Sequence, residues 1–173
     1  MKRFFIVVCV FSIVMLGFLA VKGTQKGTNF AGTWVLDKAK SEGLQRAMQN
    51  AESVTWIVTQ DDKQLAREQK TEGGQGGGRG SGFGNLTLKL DGRETTTDFP
   101  QFSGKRISKA KWLEGEKILE VNMVTIGNAQ GNDFKFTSTE LWELAEGGKV
   151  LKIHRKSDNP QGPSELKMVF NKK

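Results

Sequence analysis

The feature that most constrains this chain is the regular succession of short β-forming segments and turn residues from residue 30 onward. Segments rich in Thr, Val, Ile, Phe and Trp are separated by turn residues at intervals of roughly ten, which is typical of an all-β sandwich or barrel. Apolar and polar residues alternate within many segments, as in antiparallel strands with one buried face. The predicted strands are Phe30–Leu36, Ser53–Gln60, Gln64–Glu72, Asn85–Leu90, Arg93–Phe99, Lys105–Leu113, Lys117–Ile126, Phe134–Ala145, Val150–Ser157 and Ser164–Asn171.

The glycine pair at residues 147–148 marks a two-residue hairpin turn, which sets the register of the strands on both sides. With Glu146 paired to Lys149, alternation along the two strands places two apolar pairs and one pair of opposite charges on the inward side. His154 then faces outward between two lysines. The predicted inward pairs are Leu144 with Leu151, Trp142 with Ile153, and Glu140 with Arg155.

Two more hairpins are predicted from their turn residues. Asp91-Gly92 carries the signal of a two-residue turn, so the segments on its two sides are expected to pair. The turn at Glu114–Glu116 brings Trp112 and Ala110 opposite the apolar face of the next strand. That face carries Leu119, Val121 and Met123.

Helical spacing of apolar residues is found between the first two predicted strands, in Lys38–Asn50. We therefore predict one short helix there, which Gly43 weakens. The residues at helical spacing are Leu44, Ala47, Met48 and Ala51.

Residues 1–23 differ from the rest of the chain and are set apart from the predicted fold. Met1–Arg3 is a short basic start, and an apolar run from Phe4 to Val21 follows it, as in a secretory signal peptide. These 18 residues are also just long enough to span a bilayer, so an uncleaved N-terminal anchor is the alternative. We expect an exported protein, periplasmic or extracellular, with one barrel domain at residues 24–173.

Residues 73–84 form a glycine-rich segment inside this domain, because eight of its twelve residues are Gly. Such a segment buries too little surface to offset the entropy of ordering it, which predicts a flexible loop. It lacks the G-x-x-x-x-G-K-[ST] pattern of a phosphate-binding loop.

Composition argues against several kinds of site. The one cysteine, Cys9, lies in the N-terminal segment, so the predicted domain has no disulfide, thiol nucleophile or cysteine-bound metal. Its one histidine, His154, is predicted to face outward, whereas a catalytic triad would need it in a cleft and a haem would need it to point into the barrel. The net charge of +7 falls to +4 without the N-terminal segment, and no basic cluster indicates nucleic-acid binding. We expect no enzyme activity, no metal and no cofactor.

The start of the predicted domain, Asn29–Trp34, resembles the G-x-W signature of lipocalins and the wider calycin barrels. Thr139–Leu144 followed by Gly148–Ile153 is similar to a hairpin of uncharacterised bacterial secreted lipocalin-like proteins. The resemblance covers most of residues 29–173. It implies an antiparallel up-and-down β-barrel of eight to ten strands, with ten closer to the fatty-acid-binding branch.

The resemblance also implies roles for three residues. Trp34, with Gly32 before it, would close one end of the barrel. A late arginine packs over this tryptophan in lipocalins, and Arg155 is the one late arginine on the predicted inward side. The disulfides usual in lipocalins are absent.

The predicted interior contains one charged pair among apolar side chains. Glu140 and Arg155 must be paired or solvated there, because an isolated buried charge is costly. By the resemblance to fatty-acid-binding barrels, Arg155 would hold a ligand carboxylate; the alternative is a structural ion pair near the barrel rim. The predicted ligand-binding residues are Trp56, Trp112, Met123, Phe136, Glu140, Trp142, Ile153 and Arg155.

These observations predict a monomeric exported protein that encloses a small hydrophobic or amphipathic molecule. Any membrane contact would be made through an uncleaved N-terminal segment. The alternative is a structural or interaction protein of the cell envelope with a filled barrel, and a haem-binding barrel that uses His154 is the third hypothesis. The first two stay open because aromatic side chains fill a core as readily as they line a cavity.

Overall fold

The structure is a computed structural model that describes residues 27–73, 84–100, 103–129, 131–159 and 162–173. The predicted signal or anchor at residues 1–23 and the middle of the glycine-rich segment lie outside the described residues. None of the helices formed by the described residues has the length and apolar character needed to cross a membrane.

The described chain contains ten β-strands and one short α-helix. The period-two alternation of the sequence is visible in their burial, since side chains two apart along a strand share a face. The elements are β1 Gly32–Leu36, α1 Arg46–Asn50, β2 Ser53–Gln60, β3 Gln64–Glu72, β4 Leu86–Lys89, β5 Thr95–Phe99, β6 Gly104–Leu113, β7 Ile118–Ala129, β8 Asn132–Ala145, β9 Val150–Asn159 and β10 Gly162–Lys172.

The strands form one antiparallel sheet in the order β4-β3-β2-β1-β10-β9-β8-β7-β6-β5. Each strand pairs with its neighbour in sequence except β4 and β5, and β1 pairs with β10. The sheet curls until β4 and β5 lie next to each other without a hydrogen-bonded ladder. The result is a nearly closed antiparallel β-barrel of ten strands, which confirms the predicted all-β barrel.

The register predicted around the Gly-Gly turn is confirmed. Ala145 and Val150 are the last partners before the turn, and inward side chains meet their predicted neighbours beyond it. The hairpin at Glu114–Glu116 is confirmed in the same way. The observed pairs are Leu144 with Leu151, Trp142 with Ile153, Glu140 with Arg155, Trp112 with Leu119, and Ala110 with Val121.

The turn at Asp91-Gly92 forms, but the hairpin predicted around it is wrong. The Asp91 side chain accepts a hydrogen bond from the backbone N–H of Arg93 at 3.0 Å, as expected for such a turn. However, the backbone N–H of Leu90 donates to the carbonyl of Lys63 at 2.8 Å. This bond holds the end of β4 against the β2–β3 turn, so β4 stays with β3 while β5 pairs with β6.

The predicted helix over Lys38–Asn50 is also shorter than expected. A single 3-10 turn occupies Lys38–Lys40, and α1 covers the last five residues. Between them, Glu42 and Lys167 of β10 exchange two backbone hydrogen bonds, at 2.8 and 3.0 Å. Gly43 follows with φ +71°, pressed against the backbone of β10 where a Cβ would collide. Pairing with β10 therefore interrupts the helical run.

The barrel interior has two parts, which we call the aromatic region and the polar region. The aromatic region is fully buried. The polar region begins at the next inward pair of β8 and β9 beyond Trp142 and Ile153, and it includes half-buried side chains. The aromatic region is defined by Phe30, Trp34, Trp56, Trp142 and Phe170. The polar region is defined by Arg67, Thr95, Arg106, Ser108, Met123, Thr125, Phe136, Ser138, Glu140, Arg155 and Ser157.

Candidate functional site

Glu140 of β8 and Arg155 of β9 make the ion pair that alternation predicted. The carboxylate is completely buried, and its Oε1 accepts hydrogen bonds from Nε of Arg155 at 2.7 Å and from Nη2 of the same guanidinium. The Arg155 side chain keeps 21% of its surface exposed. The pair therefore joins a fully buried charge to one that water still reaches.

A second arginine, Arg67 of β3, reaches the same carboxylate from across the barrel. Its Nη1 lies 3.6 Å from Oε2 of Glu140, and its guanidinium carbon lies 4.1 Å from the centre of the Trp56 ring. Nε donates to the carbonyl of Gly84 at 2.8 Å. Arg67 is only 4% exposed, so it is a buried cation in contact with one carboxylate, the indole rings of Trp56 and Trp142, and one peptide oxygen.

These contacts shift the pKa values of Glu140 and Arg67. Burial alone raises the pKa of Glu140. The charges of Arg155 and Arg67 and the hydrogen bond from Trp142 together lower it by a larger amount, so the pKa of Glu140 lies below its ordinary value. The Trp142 indole donates to Oε2 at 2.7 Å. Burial lowers the pKa of Arg67 to about 10, against the opposing attraction of Glu140. Both groups are charged at neutral pH.

A third arginine, Arg106 of β6, lies in the part of the polar region that is further from the aromatic region. It donates to Oγ1 of Thr125 and to the carbonyl of Asn85, both at 3.3 Å, and its guanidinium lies 5.0 Å from the centre of the Phe99 ring. It is 8% exposed, and burial lowers its pKa.

The sequence prediction missed both Arg67 and Arg106, although the signal was present. Leu65 and Ala110 are inward residues of β3 and β6, and period-two alternation from them places both arginines inside.

The inward charges do not balance. Glu140 is the one buried acidic residue, and all 19 Asp and Glu residues of the chain lie within the described ranges. Against it stand Arg67, Arg106 and Arg155, which leaves an excess of two positive charges in the described interior. No residue outside the described ranges can supply the missing negative charge, because none of them is acidic.

A single row of side chains, all of them Ser or Thr except Met123, crosses the polar region. Each is the direct partner of the next on six neighbouring strands, from β5 to β10. Ser138 and Ser157 are half-buried, and small side chains such as these leave room that the aromatic region lacks. The row is Thr95, Ser108, Met123, Ser138, Ser157 and Ser164.

The other predicted ligand-binding residues fall into both regions. Trp56, Trp142 and Ile153 are at most 1% exposed, and the two indole rings stack 5.4 Å apart. Trp112 packs on Phe30 at the same end of the barrel, with ring centres 6.0 Å apart. In the polar region, Met123 sits in the row of small side chains, and half-buried Phe136 stacks on Phe134. Their ligand-binding roles stay predictions.

The closure of the barrel differs in one detail from the prediction. Trp34 is completely buried and its indole donates to the carbonyl of Phe30 at 2.9 Å. The cation near its ring is not Arg155, which is taken by Glu140, but Lys172 of β10, whose Nζ lies 5.1 Å from the ring centre. The lack of a side chain at Gly32 lets the side chain of Lys172 pass close to β1, since a Cβ on Gly32 would lie 2.9 Å from Cε of Lys172. The expected packing of Arg155 over Trp34 was therefore wrong.

His154 faces outward, as alternation predicted. It forms a hydrogen bond with the carboxylate of Glu165 on the neighbouring strand β10, and this bond lowers the pKa of that carboxylate. His154 does not project into the barrel, so it cannot serve as an axial ligand for a haem held there.

The outer wall carries a groove of about 730 Å³ across β6 to β10. By strand alternation its outward-facing lining forms two rows, each of which mixes residue types. The first row contains Ile107, Val124, Thr137, Asp158 and Pro163, and the second contains Lys109, Asn122, Thr139, Lys156 and Glu165.

Comparisons with known proteins show a likeness of architecture and none of sequence. No family model matches the chain, and no curated protein matches it. Among solved structures, zebrafish ileal bile acid-binding protein complexed with cholic acid is similar, with 13% identity and a TM-score of 0.41. The match covers 83% of this chain and 98% of that one. The likeness to bacterial secreted lipocalin-like proteins has no support in these comparisons. The class of the protein, a nearly closed ten-stranded antiparallel β-barrel, is defined by its own strand topology.

Proposed function

We propose that this chain is an exported binding protein whose barrel takes up a small amphipathic molecule with an anionic group. The observation that carries the proposal is the excess of two positive charges among the inward side chains of the polar region. Burying a cation without a counterion is unfavourable, and a core that served only stability would gain from apolar residues instead. An anion bound among these arginines would supply the missing charge.

The two regions would have different roles, one structural and one in ligand binding. The aromatic region forms a filled floor, because its rings are in mutual contact and completely buried. Ligand atoms would lie in the polar region, where Phe136 and Met123 offer apolar contact and Arg155 is reachable by water. We propose that these three residues, with Glu140 orienting Arg155, contact the ligand.

The proposal is tested by calorimetric titration with two amphiphiles that differ in the sign of their charge. We expect decanoate to bind and decyltrimethylammonium not to bind, because the inward arginines attract one and repel the other. Arg155→Met should weaken decanoate binding while Arg93→Gln, a change at a side chain that is 74% exposed, leaves it unchanged. Equal binding of the two amphiphiles would refute the charge argument.

A filled barrel with an interaction role is the second candidate, and the groove on the outer wall favours it. The two candidates respond differently to substitutions. Val124→Glu changes the groove and points away from the interior, so it should leave decanoate binding intact if the barrel is the binding site. Failure of decanoate to bind a correctly folded protein supports the second candidate.

Export is supported by the basic start and apolar run of residues 1–23. We propose that the mature domain works outside the cytoplasm. Cell fractionation of the full chain, followed by N-terminal sequencing, decides between a cleaved signal and a retained anchor.

A further inference from the structure

Two arginines from opposite sides of the gap in the barrel point at the same stretch of backbone. Nε of Arg67 donates to the carbonyl of Gly84, and Nη1 of Arg106 donates to the carbonyl of Asn85. Consecutive Cα atoms are about 3.8 Å apart, so the two guanidinium groups approach each other by binding the carbonyls of adjacent residues. β3 supplies one arginine and β6 the other, and the peptide lies just before β4.

Peptide oxygens are weak counterparts for two guanidinium charges. A carbonyl carries only a partial negative charge, whereas Arg67 and Arg106 carry full positive charges and are 4% and 8% exposed. Glu140, the one buried carboxylate, is engaged by Arg155 and Trp142 through hydrogen bonds, and Arg67 reaches it only at 3.6 Å. The carbonyls of Gly84 and Asn85 thus occupy positions where oxygens of an anion would be held more strongly.

Buried hydrogen-bond donors without an acceptor occur in the same region. Nη1 of Arg67, Oγ of Ser108 and Oγ1 of Thr95 have no hydrogen-bond partner among the described residues. Ser108 is 2% exposed, shares the inward face of β6 with Arg106 two residues away, and pairs with Thr95 of β5. A buried donor that is left unpaired costs about 1–3 kcal/mol, so these groups favour an acceptor-rich ligand.

We propose that Arg67, Arg106 and Ser108 form a subsite for a doubly charged oxyanion, of the phosphate-monoester class, which replaces the carbonyls of Gly84 and Asn85. This inference rests on the proposed function and narrows its ligand class. Two charges on the ligand match the two excess charges of the interior, which a single carboxylate would leave half compensated. The three or more oxygens of such an anion accept from several donors at once.

The test compares headgroups on one short chain at pH 8, where a phosphate monoester with a second pKa near 6 is mostly a dianion. Octyl phosphate, octyl sulfate, octanoate and 1-octanol are titrated calorimetrically into the full chain. We expect octyl phosphate to bind about tenfold more tightly than either monoanion, and 1-octanol to bind most weakly. Inorganic phosphate is titrated separately. Binding as tight as octyl phosphate supports the subsite with free phosphate as its source, and weaker binding supports it with a lipid-like headgroup.

Variants assign the effect to the subsite. Arg106→Gln should reduce the preference for octyl phosphate over octyl sulfate from about tenfold to near one. Arg93→Gln, at the exposed Arg93, should preserve that preference. If Arg106→Gln does not fold, Ser108→Ala, a change that removes one oxygen, is expected to lower octyl phosphate affinity about threefold and leave octanoate unchanged.

The outcomes separate this inference from the proposed function. Octyl sulfate or octanoate binding as tightly as octyl phosphate overturns the dianion subsite and leaves the amphiphile-binding function standing. Octyl phosphate selectivity that survives Arg106→Gln, or Ser108→Ala where that is the variant used, also overturns the subsite. No binding of any of the four compounds to folded protein overturns both.

Discussion

The aromatic region and the polar region lie in one barrel interior, and β8 contributes side chains to both, yet they differ in how completely their polar and apolar groups find partners. In the aromatic region, Trp56 contacts both Trp142 and Phe170, with ring centres 5.4 and 4.3 Å apart. In the polar region, a buried guanidinium nitrogen of Arg67 and the hydroxyl of Ser108 lack hydrogen bonds among the described residues. The first arrangement stabilises the barrel by itself, whereas the second is complete only with a further acceptor.

This difference gives the two ends of the interior separate roles. Close-packed aromatic side chains leave no space for a ligand, and their removal costs stability. A cluster of excess positive charge costs stability in the empty barrel and is therefore expected at a site of function. The contrast can be tested by four measurements, beginning with the one for which we expect the greatest change.

The largest effect is expected from a matched pair of phenylalanine substitutions. Phe170→Ala, in the aromatic region, should lower the free energy of unfolding by about 3–5 kcal/mol, because it opens a cavity in a close-packed core. Phe136→Ala, at a half-buried position of the polar region, should cost about 1 kcal/mol. Urea unfolding measures both, and equal losses would remove the distinction between the two regions.

The second prediction concerns the ion pair at the border of the polar region. Arg155→Met leaves the buried Glu140 with its more distant partner Arg67 and should cost about 3 kcal/mol. Glu140→Gln combined with Arg155→Met restores the net charge of the interior and should be less damaging than the two single losses added together. A double-mutant cycle from urea unfolding measures the coupling, and additivity would show that the two groups do not stabilise each other.

The third prediction is a pH dependence. Because the pKa of Glu140 is lowered in the folded protein, its ionisation stabilises the fold above its ordinary value of 4.5. That contribution is lost as the pH falls below 4.5 through the folded-state pKa. Wild type should therefore lose more stability than Glu140→Gln between pH 4.5 and 3, measured by urea unfolding at each pH. Parallel curves would contradict the assignment.

The smallest effect is expected at the closed end. Lys172→Ala removes the cation from the Trp34 ring and should lower the free energy of unfolding by about 0.5–1 kcal/mol. Lys173→Ala, at the exposed neighbouring residue, serves as the control and should change it by less. Comparable changes for the two lysines would show that the contact with the ring contributes nothing.

Much of the fold was predictable because strand alternation and turn chemistry are local. The strands Ser53–Gln60 and Gln64–Glu72 have the predicted bounds, and the pairing of Glu140 with Arg155 follows from the turn between their strands. The same local rules failed at Asp91-Gly92, since the turn residues reverse the chain without deciding which strands then pair. They also failed at Glu42, where a distant strand competes for the backbone.

The inward side chains of the candidate site were also predictable from local rules. Alternation gives the side of the sheet on which Arg67 and Arg106 lie, and it could have shown both to be inward.

Residue patterns alone were enough to predict the class of fold, the inward and outward faces of the strands, and the register of the late hairpins. These depend on neighbours within a few residues, which hydrophobic alternation and turn geometry control. The tertiary structure was needed to show that Arg67 of β3 and Arg155 of β9 meet at the carboxylate of Glu140, that Arg67 and Arg106 of β6 bind carbonyls of adjacent residues, and that β4 and β5 do not pair with each other. Those facts depend on how the sheet curls, because curling brings together strands far apart in sequence.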